Sequence, residues 1–393
     1  MRSRRHLAAS VVVLTGAALL GLPATPAGAA VPTPTNPHTL ATGYGFTVTI
    51  GGDGQVYGTG SNADGQLTVA DLNVYTLTRL SGLPGGVTAV SLAAGNLDTP
   101  SPNTFGGFTL VLASDGRLYG AGDNSESQLA APGPDLATLT PLAALPDGRQ
   151  VVDVTAGNGF TVVVASDGSV WGRGQNTNSQ LAAGTADQTS WVQLSLPGVT
   201  ARAASAGPQS VLVLGGDGQA YGQGSNDDGQ LTGAPATYAS LHQLSGLPAG
   251  VSATEVSTAG PVSLVLGNDG KAYGTGTSNS SQLGTAGSVT TLTELGFPGA
   301  PATQRVRHVL ATYANTLFLV TSGPGAAAQV EGQGPNNAGQ LGDQVGTTRT
   351  VPTVVPGPTD LIGATELAGG QTPRWSGAAA APSTAWAPPA RAS

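Results

Sequence analysis

The sequence predicts an all-β fold, and within that class a β-propeller with seven blades, the last of them degenerate. Three observations carry this prediction: a motif that recurs about every 52 residues, a hairpin pattern inside each recurrence, and a length that accommodates seven such units. Sixty glycines and 28 prolines in 393 residues would by themselves also suit a low-complexity chain. The regular spacing of the motif decides in favour of folded repeats.

Six segments of the chain align with one another, and each of them ends in the dipeptide Gln-Leu. Their glutamines are spaced by 62, 52, 50, 52 and 58 residues. A unit of this size cannot bury its own core, so it must stack on its neighbours, as the units of propellers and other arrays do. The segments run from Phe46 to Leu67, Phe108 to Leu129, Phe160 to Leu181, Ser210 to Leu231, Val262 to Leu283 and Leu317 to Leu341.

Each unit reads as a β-hairpin. Apolar residues alternate from Phe46 to Ile50, as a strand with one buried face requires. Asp53-Gly54 then supplies a tight turn, and a second strand follows with Tyr57 between small residues. The turn recurs as Asp-Gly in the next four units, and the aromatic position recurs as Tyr119, Trp171, Tyr221 and Tyr273.

The first residues of the chain have the pattern of an export signal. Arg2, Arg4 and Arg5 precede an apolar run that ends at Leu22, and Ala27-Gly28-Ala29 offers a cleavage site. We therefore expect residues 1–29 to be a secretory signal peptide and 30–393 to form a single propeller domain, with no membrane span after cleavage. The secreted chain would have 364 residues, enough for seven units, and the segment beginning at Leu367 would open the seventh. Six blades are the alternative, because only six Gln-Leu endings exist.

Charge and composition exclude several classes of function. The 14 basic and 22 acidic residues give a net charge of −8, which becomes more negative once the arginine-containing signal is removed. Nucleic acids and anionic membranes attract positive charge, so neither is expected as a partner. The chain has no cysteine, and its four histidines, His6, His38, His242 and His308, are isolated in sequence. We therefore expect no enzyme active site and no cofactor.

The repeat resembles that of the regulator of chromosome condensation family. The string from Asp53 to Leu67, DGQVYGTGSNADGQL, matches its Asp-Gly turn, aromatic strand and Asn…Gly-Gln-Leu ending. The resemblance covers nearly all of the secreted chain and implies a seven-bladed propeller. The family histidine is replaced by Phe46, Phe108 or Phe160, or by Ser210 or Val262 in later units. This departure and the export signal indicate an exported bacterial member rather than a nuclear exchange factor on chromatin.

Two motifs resemble ligand sites but are better explained as turns. Asn226-Asp227-Asp228-Gly229 and Asn62-Ala63-Asp64-Gly65 look like calcium loops, but the twelfth position of each lacks the glutamate that completes such a loop. Asn and Asp side chains in turns commonly bind their own backbone. No metal site is therefore expected.

We expect the binding function to lie where the repeat is interrupted. The first spacing is ten residues longer than the usual one because of an insertion between Asn96 and Gly107. A long loop on a rigid scaffold is a common place for recognition, and its candidate binding residues are Leu97, Asp98 and Phe105. A tolerated surface insertion is the alternative interpretation.

The sequence thus predicts a secreted, monomeric, non-catalytic binding module that recognises an extracellular protein or a cell-surface glycan through its loops. Two alternatives remain open. One is an inhibitor of an extracellular hydrolase such as a β-lactamase, by analogy with an exported bacterial propeller of similar repeat logic. The other is an exported glycan-active enzyme whose residues are spread over several blades.

Overall fold

The computed structural model describes residues 11–15, 33, 37–98, 105–196, 198–284, 287–336, 339–342, 348–356 and 364–369. These residues form 26 β-strands and one short 3₁₀ turn, Pro146–Gly148. Within this part of the chain, no helix is both long and apolar enough to cross a membrane. The predicted all-β class is confirmed.

Twenty-four of the strands form six antiparallel sheets of four consecutive strands each, which are the blades. Blades one to three contain β2 (Leu40–Thr42), β3 (Phe46–Ile50), β4 (Val56–Ser61), β5 (Asn73–Arg79); β6 (Ala89–Asp98), β7 (Phe105–Ala113), β8 (Leu118–Gly122), β9 (Leu136–Pro141); and β10 (Val151–Ala156), β11 (Phe160–Ala165), β12 (Val170–Gly174), β13 (Gln188–Leu194). Blades four to six contain β14 (Ala201–Ala206), β15 (Ser210–Gly215), β16 (Ala220–Ser225), β17 (Thr237–Gln243); β18 (Ala253–Ala259), β19 (Val262–Gly267), β20 (Ala272–Thr277), β21 (Ser288–Glu294); and β22 (Arg305–Ala311), β23 (Thr316–Thr321), β24 (Gln329–Gly334), β25 (Arg349–Val354).

The prediction of seven blades is wrong, because the described residues form six four-stranded blades. The length arithmetic assumed that the end of the chain would supply a full unit. Its described part supplies one strand, β26 (Ala364–Gly369), which pairs antiparallel with β1 (Val11–Thr15). β26 lies against β2 of the first blade and β22 of the sixth. The N-terminal strand falls within the predicted signal peptide, and the predicted place of Trp386 lies outside the described residues.

The hydrophobic cores lie between neighbouring blades. The first core cluster joins Phe46 and Val48 of blade one to Leu92, Val111 and Tyr119 of blade two. The second strand is buried along its whole length in four blades, as all six residues of β11, β15, β19 and β23 are. Because each blade depends on the next for its burial, the repeat period of the sequence becomes the geometric period of the ring.

The repeated motif residues hold the turns of each blade. Asp53 Oδ1 accepts from the amide of Gln55 at 3.0 Å, and Oδ2 accepts from the Tyr57 hydroxyl at 2.8 Å. Gly54 has a φ of +73°, a conformation that glycine adopts without strain. The Asp–Tyr hydrogen bond recurs in blades two, four and five. The repeated aromatic thus packs in the core and also fixes the turn that precedes its strand.

A second set of repeated residues ties each blade to the next. The hydroxyl of Thr109 donates to the backbone carbonyl of Gln66 in the preceding blade at 2.9 Å, and Thr161 makes the same bond to Gln128. Thr316 repeats it with Gln282. The glutamine of the Gln-Leu ending therefore marks a contact between blades.

Candidate functional site

The insertion in the second unit is a β-hairpin that extends strands β6 and β7 beyond the blade. Asp98 is paired with Phe105, and Leu97 with Gly106. The three candidate binding residues therefore lie together near the end of one hairpin, whose tip, residues 99–104, is outside the described residues. Their role in binding stays a prediction. The sequence placed the insertion correctly but indicated a loop rather than a pair of strands.

The base of this hairpin is fixed to the blades on both sides. The amide of Asn96 donates to the carbonyl of Gly157 in blade three at 3.3 Å, and the amide of Gly159 donates to the carbonyl of Asn96. The amide of Gly107 donates to the carboxylate of Asp64 in blade one at 3.0 Å. Burial raises the pKa of Asp64 to about 6, although the Gly107 amide opposes this rise. The hairpin is thus held as a rigid projection from one face of the propeller.

The turns between the first two strands of all six blades meet on the same face as the hairpin. In five blades we compare the turn residue that directly precedes the one whose carbonyl accepts a hydrogen bond or meets a glycine of the third strand. In blade two the insertion separates these two residues, and Asn96 follows Gly95 as Tyr44 follows Gly43 in blade one. These positions hold Tyr44, Asn96, Asn158, Pro208, Gly260 and Tyr313. The side chains differ greatly in size, so this face is uneven although the fold beneath it is regular.

A cavity of about 250 Å³ opens beside blades four and five, where these positions carry the small residues Pro208 and Gly260. We call it the mouth groove, and its lining includes Gln209, Asp228, Asn279 and Tyr313. Asn158, which forms a bridge to Asn96 at the base of the hairpin, also lines it. The groove and the hairpin therefore share one face and one connecting residue.

The first strand of each blade contacts the first strand of the next blade, and together with β26 these are the inner strands of the ring. Their ends opposite the turns carry a cluster of ionisable side chains. We call His38, Asp153, Glu255, His308 and Glu366 the inner-strand cluster. Asp153, Glu255 and His308 each follow a β-bulge at the start of their strand, and a bulge re-aims the side chain beside it. His308 Nδ1 lies 3.2 Å from a Glu255 oxygen, and His38 Nδ1 lies 3.5 Å from a Glu366 oxygen.

The carboxylates of this cluster also accept backbone hydrogen bonds from the next inner strand. Asp153 accepts from the amide of Ala204 at 2.8 Å, and Glu366 accepts from the amide of Thr39 at 3.0 Å. Burial raises the pKa of Asp153 to about 6. Burial alone would lower the pKa of His38, but its hydrogen bond with Glu366 and nearby acidic charges raise it above its ordinary value. The cluster is therefore a set of contacts between strands as well as a patch of charge.

Sequence reasoning missed this cluster, because it treated His38 and His308 as isolated. They are 270 residues apart, and only closure of the ring brings them to the same end of the inner strands. The available signal was the charged residue inside otherwise apolar strands, as in Val151-Val152-Asp153-Val154. In the described part of the chain, no group of three or more such side chains has the geometry of a metal site.

The loop that resembles a calcium site is held by its own asparagine. Asn226 Nδ2 donates to the carbonyls of Thr232 and Ala234, both at 2.9 Å, and its Oδ1 accepts from the amide of Leu231 at 2.6 Å. Asn62 accepts from the amide of Leu67 in the same way. These bonds confirm the turn interpretation of both motifs.

The fold and its sites define a repeat-built β-propeller whose irregular face carries a hairpin and a groove. Residues 151–180 match the family model of the regulator of chromosome condensation (RCC1) repeat, which supports the family resemblance. The ultraviolet-B receptor UVR8 of Arabidopsis thaliana is 31% identical over 153 residues, which cover 37% of this chain and 31% of the receptor. The match thus spans about a third of that relative.

Two solved structures resemble the whole propeller. Human WBSCR16 superimposes with a TM-score of 0.71 at 18% identity, covering 84% of each chain. Prp20p of Saccharomyces cerevisiae superimposes with a TM-score of 0.63 at 19% identity, covering 81% of this chain and 76% of Prp20p. At these identities the likeness establishes the shared propeller fold.

Proposed function

We propose that the protein is a secreted, non-catalytic binding module that recognises an extracellular protein or a cell-surface glycan. The recognition surface is the face that carries the inserted hairpin, with Leu97, Asp98 and Phe105 as its contact residues. The working form is the monomeric chain from residue 30 onward.

The observation that carries this proposal is the attachment of the hairpin. Ten residues have been added to a turn of the repeat, yet Asn96 and Gly107 at its base keep hydrogen bonds to both neighbouring blades. A recognition element benefits from such support, because a rigid element loses less conformational entropy on binding than a free loop. Phe105 adds an aromatic residue to this element, and aromatic residues dominate the energetics of many interfaces.

Solved propellers support a binding role. The structure of Prp20p was described together with its binding properties to Gsp1p and histones, and a further structure shows Kap60 bound to it. A propeller of this shape therefore serves as a protein-binding scaffold in at least one relative of the fold. Because this chain has a net charge of −8, we expect its partners to differ from those of Prp20p.

A deletion designed from the repeat tests the hairpin directly. Removing residues 97–106 joins Asn96 to Gly107 and recreates Gly-Asn-Gly-Phe, the sequence of the corresponding turn from Gly157 to Phe160. Because the anchoring residues stay in place, the melting temperature should change little. Capture of partners from culture medium, read by mass spectrometry and quantified by surface plasmon resonance, should be lost. Equal capture by the deletion variant would show that another surface carries the function.

Export needs a separate test, because the binding assay does not depend on it. The full-length gene should yield protein in the medium whose N-terminus, read by mass spectrometry, begins at Ala30. Replacing Arg4 and Arg5 by glutamate should retain the protein inside the cell, because the basic start of a signal peptide promotes its export. Protein that stays intracellular with its first 29 residues intact would contradict the proposal of secretion.

A further inference from the structure

We propose that the mouth groove binds one or two units of a neutral polysaccharide, such as a hexose or an N-acetylhexosamine. This inference rests on the proposed function and names the ligand class of the same face. The groove lies where the turn positions of neighbouring blades differ most, at Gly260 and Tyr313.

The groove is lined by two turn positions that carry proline and glycine, Pro208 and Gly260. Blade one carries Tyr44 and blade three carries Asn158 at this position, but blade five carries Gly260. Gly260 has a φ of +57°, and a Cβ added to it would lie 2.6 Å from the Tyr313 ring. The missing side chain therefore lets Tyr313 of blade six lie against the backbone of blade five. Pro208 in blade four adds a second side chain without hydrogen-bonding groups.

Tyr313 is placed as a platform for a sugar ring. One part of its ring is supported by Gly260, and the residue is half-buried, so the remaining surface of the ring borders the groove. The apolar C–H face of a pyranose packs on such an aromatic surface. A supported aromatic side chain also loses little conformational entropy when a ligand binds.

The other groups of the groove match sugar hydroxyls. Gln209 and Asn279 carry amides, each with two donors and an acceptor, and Asp228 carries a carboxylate that accepts. Asn279 is exposed, and Gln209 and Asp228 are half-buried, so all three can be reached from solvent. Planar side chains that donate and accept in pairs are suited to the vicinal hydroxyls of a pyranose.

Charge and size restrict the ligand further. None of the described side chains that line the groove is basic, and Asp228 is acidic, so sulfated, phosphorylated and uronic sugars are disfavoured. The volume of about 250 Å³ is below the range of about 300 to 1,000 Å³ typical of pockets for drug-sized ligands. A short neutral segment of a longer chain fits both restrictions.

The test is calorimetric titration of the secreted chain with maltotriose, cellotriose, mannotriose and triacetylchitotriose. At least one of them should bind, and Tyr313→Ala should weaken its affinity by about tenfold or more, as expected for the loss of a buried aromatic contact. Asn279→Ala, at an exposed position that folding tolerates, should weaken it by a smaller factor. Tyr75→Ala is the matched control, because Tyr75 is 90% exposed on the outer strand of blade one, and it should leave the affinity unchanged.

Two results would overturn the inference: no heat of binding with any of the four sugars, or equal affinity in wild type and Tyr313→Ala. The deletion of residues 97–106 separates this inference from the proposed function, because it leaves Asn96 and the groove in place. Loss of partner capture in that variant while no sugar binds wild type would refute only the sugar site. Sugar binding without any role of the hairpin in capture would refute only the hairpin as recognition element.

Discussion

The asparagine that opens the last loop in five of the six units should contribute strongly to stability, and Asn176 provides the sharpest test. Its Nδ2 donates to the carbonyls of Ala182 at 3.2 Å, Gly184 at 3.0 Å and Ala186 at 3.2 Å. Its Oδ1 accepts from the amides of Leu181 at 2.8 Å and Ala182 at 3.2 Å. The side chain is fully buried, so one residue holds a loop of ten.

Replacing Asn176 by alanine should lower the free energy of unfolding by about 3 kcal/mol. The amide of Leu181 would be left buried without an acceptor, at a cost of about 1 to 3 kcal/mol, while the exposed carbonyls of the loop can turn to water for much less. For a domain of this size, each kcal/mol corresponds to roughly 2 °C in the melting temperature. Differential scanning calorimetry should therefore show a decrease of about 6 °C.

One blade of the protein naturally carries a shorter hydrogen-bonding side chain at this position. Blade five has Ser278 at the equivalent position, where its hydroxyl accepts from the amide of Leu283 at 2.8 Å. Asn176→Ser should restore the corresponding bond and recover about half of the loss. Asn178→Ala is the control, since that side chain bonds to the Thr177 hydroxyl on the exposed surface. The reasoning is refuted if Asn176→Ala melts within a degree of wild type, or if the serine and alanine variants melt alike.

Three further predictions concern other parts of the ring. Glu366→Gln should destabilise the protein most between pH 4.5 and 6.5, the ordinary pKa values of Glu and His. The raised pKa of His38 gives stability that is lost as the pH rises through that pKa, and the lowered pKa of Glu366 gives stability that is lost as the pH falls through it. Melting curves of wild type and variant from pH 4 to 8 should therefore differ most within that window. Arg173→Gln should melt close to wild type and Arg173→Leu well below it. Glutamine occupies the equivalent position of blades four and six, where it donates to a carbonyl of the preceding blade as the Arg173 guanidinium does. Equal melting temperatures of the two variants would show that this hydrogen bond between blades does not stabilise the protein. Gly174→Ala should unfold at markedly lower denaturant than wild type, because the added Cβ would lie 2.3 Å from a carbonyl oxygen, whereas Gly184→Ala, with open space around it, should cost much less.

Local parts of the fold were predictable because their causes lie within a few residues of one another. The Asp53-Gly54 turn and the strand that ends at Ile50 follow from pattern and backbone preference alone, and both are found. The number of blades was not predictable by the same means. It depends on what the last residues form, and the Leu367 segment resembles the start of a unit without the turn and Gln-Leu ending that complete one.

The sites divide in the same way. The insertion before Phe108 could be located because it changes a spacing, which is a property of the sequence itself. The mouth groove and the inner-strand cluster could not be found from spacing, because Gly260 with Tyr313 and His38 with Glu366 meet only across blade boundaries. Alignment of the turn positions would have drawn attention to Gly260, since it is the smallest residue among them.

Among the described residues, every four-stranded blade consists of strands that follow one another in the chain, and none of these sheets takes a strand from a distant segment. A duplication or loss of one genetic unit therefore adds or removes one whole wedge of the ring without changing any pairing inside the others. Such an event would change the angle between blades that closes the ring, and this change would have to be accommodated at the seam, where β26 lies between the first and last blades. The seam is the part of the molecule at which this architecture can absorb a change in the number of its units, so variation between related propellers should accumulate at that joint rather than inside a blade.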